Sequence, residues 1–74
     1  MKALPAMHGV ESSNIDAIGH DGAHLFVRFK SGGVHRFHDV PAETFKNMKG
    51  AESVGKFFHA TIKGKHTSNK MEAE

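Results

Sequence analysis

From His24 to Lys30 apolar and polar side chains alternate: Leu25, Val27 and Phe29 fall on one side, and His24, Phe26, Arg28 and Lys30 on the other. A period of two is that of a half-buried strand. Asn14 to His20 predicts an earlier strand, with a complication. Ile15 and Ile18 point to opposite faces of a regular strand, so the segment is expected to be short or to carry a bulge. Asp21-Gly22 between the two segments is a tight-turn dipeptide. Ser31-Gly32-Gly33 predicts the next turn, and Val34 to His38 a third strand. Short glycine-containing turns between successive strands make these an antiparallel meander.

The second hairpin has two plausible registers. A loop of Ser31 and Gly32 alone pairs Phe29 with Val34 and puts Arg36 beside Val27 on the apolar face. A loop of Ser31-Gly32-Gly33 pairs Lys30 with Val34 and Phe29 with His35, and sets Phe37 opposite Val27. The second choice gathers Leu25, Val27, Phe29, His35 and Phe37 on one face and leaves Phe26, Arg28, Lys30, Val34, Arg36 and His38 on the other. Because a slip of one residue moves every side chain to the wrong side, the longer loop is expected.

Helix signals follow. Pro41 suits a first helical turn, where its missing N–H costs nothing, and Val40, Phe45 and Met48 supply an apolar edge up to Gly50. Ser53 can cap a second helix in which Val54, Phe57, Phe58 and Ile62 recur at helical spacing. Gly55 weakens that helix by roughly 1 kcal/mol relative to Ala, a cost tolerated where a helix packs closely. The expected order is β-β-β-α-α, an α+β domain of a three-stranded antiparallel meander with two short helices packed on one face. Residues 1–9 read as a flexible arm, 10–65 as the domain and 66–74 as a flexible tail.

At 74 residues and 38% hydrophobic composition the chain makes one domain with a small core. It has no cysteine, which excludes a disulfide framework, thiolate metal ligation and a cysteine nucleophile, and fits a reducing, cytoplasmic setting. No apolar run is long enough to cross a membrane and no secretory signal is visible, so an intracellular monomer without membrane contact is expected. The net charge is only +2, but seven histidines stand outside that count, so acid strengthens any attraction to polyanions. Position says more than the total: His24 to His38 holds three cations and no carboxylate before Asp39, and Lys46 to Lys65 holds five lysines against Glu52 alone.

Val10-Glu11-Ser12-Ser13-Asn14-Ile15, Ile18-Gly19-His20 and Leu25-Phe26-Val27-Arg28-Phe29 resemble the opening of the KTSC family, named for a segment at the C-terminus of some lysyl-tRNA synthetases and also met as small stand-alone bacterial and phage proteins. Gly32-Gly33-Val34-His35-Arg36-Phe37, Val40-Pro41 and Ala51-Glu52-Ser53-Val54-Gly55-Lys56-Phe57-Phe58 continue the likeness, which spans about Val10 to Lys65. Two departures stand out. The family's central Tyr-x-Tyr reads His35-Arg36-Phe37 here, and the tyrosine usual after Ile-Gly is His20, so any role of those hydroxyls is lost. The resemblance implies RNA binding.

The residues themselves point the same way. Phe26 among Arg28, Lys30, Arg36 and His38 offers a ring on which a base can stack and cations for phosphates, against the plainer reading of a solvated strand face. Lys56, Lys63 and Lys65 make a second basic patch, which is otherwise a solubilising surface. The scattered histidines lack metal-ligand spacing, since His35 and His38 point to opposite faces of a strand and His20 and His24 have no third ligand, so no metal and no cofactor are expected. Ser12 and Ser13 have no triad partners, no pair of carboxylates sits in an apolar setting, and Gly32-Gly33 opens no helix, so an enzyme is not expected. The expected function is a non-catalytic module that binds RNA or other nucleic acid. The alternative is a small regulator that docks on a large protein such as RNA polymerase, with Phe26, Arg28 and Arg36 as interface anchors.

Overall fold

The computed structural model describes residues 5–70. Strand β2, Ile15–His20, pairs antiparallel with β3, Leu25–Phe29, and the register shifts between Ile15, opposite Phe29, and Ala17, opposite Arg28. Asp16 is the extra residue of a bulge. The insertion turns both Ile15 and Ile18 inward, where each is at most 1% exposed, and so resolves the conflict in their spacing. It also leaves the Asp16 carboxylate free to accept a hydrogen bond from Arg28 Nε at 3.2 Å.

β3 pairs with β4, Val34–Phe37, in the register Leu25–Phe37, Phe26–Arg36, Val27–His35 and Arg28–Val34. This departs from the expected pairing by two positions. The loop does hold three residues, but they are Lys30-Ser31-Gly32, because the Phe29 N–H donates to the Gly33 carbonyl at 2.8 Å and Gly32, with φ +110°, takes the left-handed site. A two-residue shift preserves the faces. Leu25, Val27, Phe29, His35 and Phe37 therefore stay together, as the alternation requires.

The sheet has five strands, not three, each paired with its neighbours in chain order. β1, His8–Gly9, pairs with β2, and β5, Ser68–Lys70, pairs with β4. Both come from segments expected as an arm and a tail, and they are strands because β2 and β4 otherwise leave their outward backbone groups unpaired. Residues 5–7 lie against Gly19 and His66 hydrogen-bonds the His38 carbonyl, so these too are placed; residues 1–4 and 71–74 of the two expectations lie outside the described residues.

Helix α1, Ala42–Lys49, starts after Pro41, and α2, Val54–Phe57, is capped by Ser53, whose hydroxyl accepts from the Lys56 N–H. α2 then widens into a π-helical turn, Phe58–Ile62, closed by Lys63 N–H to the Phe58 carbonyl at 2.9 Å. Val40, Met48, Val54, Phe58 and Ile62 pack on Ile15, Ile18, Leu25, Val27 and Phe37 to form the core on one face of the sheet. His20, at the position where the resemblance expects tyrosine, ties sheet to helix. Its Nε2–H donates to the Val40 carbonyl at 2.6 Å, its Nδ1 accepts from the Gly22 N–H at 3.0 Å, and its ring stacks on Phe45.

The opposite face is crossed by the chain before β1. A Cβ on Gly19 would lie 2.7 Å from Met7 Sδ and 2.8 Å from the Ala6 carbonyl oxygen, so only glycine admits that crossing. Phe26, paired with Gly19 across the strands, is 3% exposed.

The β2–β3 turn is held by Asp21, whose carboxylate accepts from the Ala23 and His24 N–H groups at 3.0 and 2.8 Å. Those two backbone bonds, with a smaller contribution from the neighbouring His24, hold its carboxyl below the ordinary value of 3.8. A depressed carboxyl contributes stability above its unfolded pKa and loses it as pH falls through the folded one. Asp21→Asn, which keeps the Oδ1 acceptor, is expected to flatten the loss of stability below about pH 4, by well under 1 kcal/mol at so exposed a site. Urea midpoints of the two proteins at pH 3 and pH 7 check this, and parallel losses on acidification would count against it.

Candidate functional site

Two short helices cannot cover a five-stranded sheet. Where they stop, at the end of the β3–β4 hairpin, a groove of about 540 Å³ opens on the core side. Its rear wall is aromatic: Phe29 and Phe37 come from the inward positions of β3 and β4, and Phe58 from the start of the π turn. Phe58 meets Phe37 and Phe29 edge to face, with ring centroids 5.3 and 5.7 Å apart, a favoured arrangement of aromatic quadrupoles. His35 stands edge-on to Phe29 at 5.3 Å. Phe37 and Phe58 are buried, while Phe29 and His35 are half-buried and His59 is exposed, so these last three rings are the ones a ligand can reach.

The π turn shapes the other wall. Its wider winding carries His59 and Lys63 to the groove, and π turns concentrate at functional sites. Gly64, with φ +80°, then redirects the chain so that His66 Nδ1–H donates to the His38 carbonyl at 3.1 Å and β5 can begin. On the near side, Gly55 brings α2 against the β1–β2 loop: a Cβ there would stand 3.2 Å from Ser12 Oγ, which accepts from the Asn14 and Ile15 N–H groups. Ser13 and Asn14 continue as an exposed polar lip. Lys30 and Lys63 are the cations of the rim, both exposed, and among the described residues no carboxylate lines the groove. No three His, Asp or Glu side chains among the described residues converge on a metal position.

The structure divides the residues that the sequence grouped. Phe26 is buried and offers no stacking surface; Arg28 is paired with Asp16. Arg36 is half-buried, its Nε buried without a hydrogen-bond partner among the described residues. His38 hydrogen-bonds Asn69 of β5 through Nε2 and meets His24 edge to face at 5.0 Å. These four do not form the open basic platform expected on that face. The reason is tertiary: Pro5, Ala6 and Met7 lie against Gly19, the neighbour of Phe26 across the strands, and Asn69 of the added edge strand β5, paired with Arg36, takes the His38 ring. Lys30, expected beside them, lies in the hairpin loop and turns to the groove, where it joins Lys63. Lys56 and Lys65 are exposed but outside the groove lining. Sequence reading placed Phe29, His35 and Phe37 on the core face and took them for packing alone. The groove is not legible in that alternation, which reports the apolar faces but not whether helices of eight and four residues span the sheet.

What the fold and groove define is a small α+β domain with an antiparallel sheet, two helices on one face and an aromatic, cation-rimmed cleft. The KTSC domain matches over residues 11–66, and the chain belongs to the KTSC domain family. A crystal structure of a KTSC domain protein from Yersinia pestis superposes with a TM-score of 0.86 at 33% identity, covering 90% of this chain and 97% of that one. A protein of Tsukamurella paurometabola is 41% identical over 59 residues, 77% of this chain and 88% of that protein. An uncharacterized protein of Stutzerimonas stutzeri is 32% identical over 59 residues, 77% of this chain and 83% of its own. Both positions of the central family pattern that depart from tyrosine, His35 and Phe37, line the groove. Among the described residues no helix is long and apolar enough to cross a membrane.

Proposed function

We propose that the chain is a non-catalytic binding module for single-stranded nucleic acid, RNA foremost, and that it binds through the groove and its lysine rim. The observation that carries this reading is the composition of one cleft: reachable aromatic and imidazole rings, two lysines and no carboxylate among the described residues. Bases stack on such rings with little regard to sequence, and lysines neutralise the phosphates that flank them. Lys56 and Lys65 extend the positive surface beyond the cleft. Among the described residues no hydroxyl of the groove is hydrogen-bonded to an imidazole or carboxylate, which accords with a module that acts by occupancy.

Fluorescence anisotropy with a single-stranded RNA at about 50 and 200 mM salt tests this. The expected dissociation constant at the lower salt is on the order of 10 μM, with a log–log salt slope between about −1.4 for two phosphate contacts and about −2.8 for four. Absent binding, or binding indifferent to salt, would sink the proposal.

A further inference from the structure

We infer that the groove is a one-nucleotide subsite: it takes a single purine or pyrimidine ring together with the phosphate attached to it, free or as a link in a strand. This rests on the nucleic-acid reading above and goes further, because a strand lying on a basic surface needs no cleft. A volume of about 540 Å³ is that of a site enclosing one small ligand, within the usual range of roughly 300–1,000 Å³. Polar side chains also line the cleft: Ser13 and Asn14 just before β2, and Ser68 of β5.

The chemistry inside is in two parts. Phe29, His35 and His59 present rings to a flat π-system, backed by the buried Phe58 and Phe37, so the reachable faces are held in place. Lys30 and Lys63 enter from separate elements, the hairpin loop and the end of the π turn, and bring positive charge to the mouth. Neither part alone defines the ligand. An apolar ring leaves the lysines without a counter-charge, and a bare anion leaves the aromatic wall uncovered. The exposed Asn14 amide and Ser13 hydroxyl add donors and acceptors at the lip, which suits the polar edge of a base.

Adenosine 5′-monophosphate, adenosine and inorganic phosphate, each titrated into the isotope-labelled protein and followed by amide shifts, test the inference. The nucleotide is expected to move the amides of Phe29, His35, Gly55 and His59 with a millimolar constant, and adenosine and phosphate to bind at least about fivefold more weakly. Lys63→Gln, at an exposed position, should weaken the nucleotide about three- to tenfold and leave adenosine unchanged. A single-stranded RNA at least about tenfold tighter than the nucleotide identifies a strand as the source of the ligand, and equal affinity identifies the free nucleotide; either supports the subsite. Inorganic phosphate shifting the same amides as strongly as the nucleotide overturns it, as do unmoved groove amides. If RNA binds with the expected salt slope while the nucleotide leaves the groove unmoved, the subsite falls and the broader reading stands. If neither binds, both fall.

Discussion

Phe58→Ala should remove a large share of the stability of this domain. The ring is 5% exposed, belongs to the core, and joins the β3 and β4 aromatics to the π turn. Truncating a buried Phe to Ala costs about 3–5 kcal/mol, as lost transfer free energy plus the cavity left behind. A 74-residue domain has roughly 4–11 kcal/mol in all, at about 0.05–0.15 kcal/mol per residue. The variant is therefore expected to lie near its unfolding midpoint well before the parent in a urea titration. The chain has six Phe and neither Trp nor Tyr, so circular dichroism is the suitable probe. Phe58→Leu, closer in volume, should cost less than about 1.5 kcal/mol. A loss below about 1 kcal/mol for Phe58→Ala would mean that the ring furnishes the groove without supporting the core.

The second large effect separates the two faces of the sheet. Reversing both rim cations, Lys30→Glu with Lys63→Glu, should lower affinity for single-stranded RNA by about tenfold or more at low salt and flatten the salt slope by about 1.4, the share of two phosphate contacts. Both side chains are exposed, so the melting temperature should move little. Arg28→Glu with Arg36→Glu should give the reverse pattern. That pair breaks the contact with Asp16 and replaces the long Arg36 side chain beside the buried Phe26 with a shorter one of opposite charge, so stability falls while binding to the groove is largely retained. Anisotropy and thermal melts on the two double variants decide the matter. Equal loss of RNA affinity in both would return the contact surface to the arginine face.

Much of the frame is legible in the chain because local rules and tertiary structure agree there. The alternation from Leu25 to Phe29 sets the faces, the spacing of Ile15 and Ile18 calls for a bulge or a short strand, of which the structure has the bulge, and Ser53 marks a helix start that the structure keeps. What escaped the sequence has identifiable causes. Ser68, Asn69 and Lys70 are all polar and show no apolar alternation; they form a strand because β4 offers an open edge. Phe57, Phe58 and Ile62 satisfy helical spacing, yet the turn widens, and nothing in that spacing distinguishes the two windings. Phe26 reads as solvent-facing because alternation reports a side of the sheet, not what lies over it. Gly19 carried the missing information: its lack of a side chain is what lets Ala6 and Met7 pass across that side.

The route by which β5 reaches its place has a bearing on how the protein folds. β2, β3 and β4 are joined by short turns and can zip in succession, whereas His38 and its partner Asn69 stand 31 residues apart. Closing so long a segment is entropically unfavourable until the intervening helices have condensed, which makes this last pairing a late kinetic event. As a three-residue edge strand with every side chain exposed, it is also expected among the units that open readily in native-state fluctuations. Because Ser68 lines the cleft, transient release of that edge would loosen one of its borders, and a ligand touching it would slow amide exchange along β5.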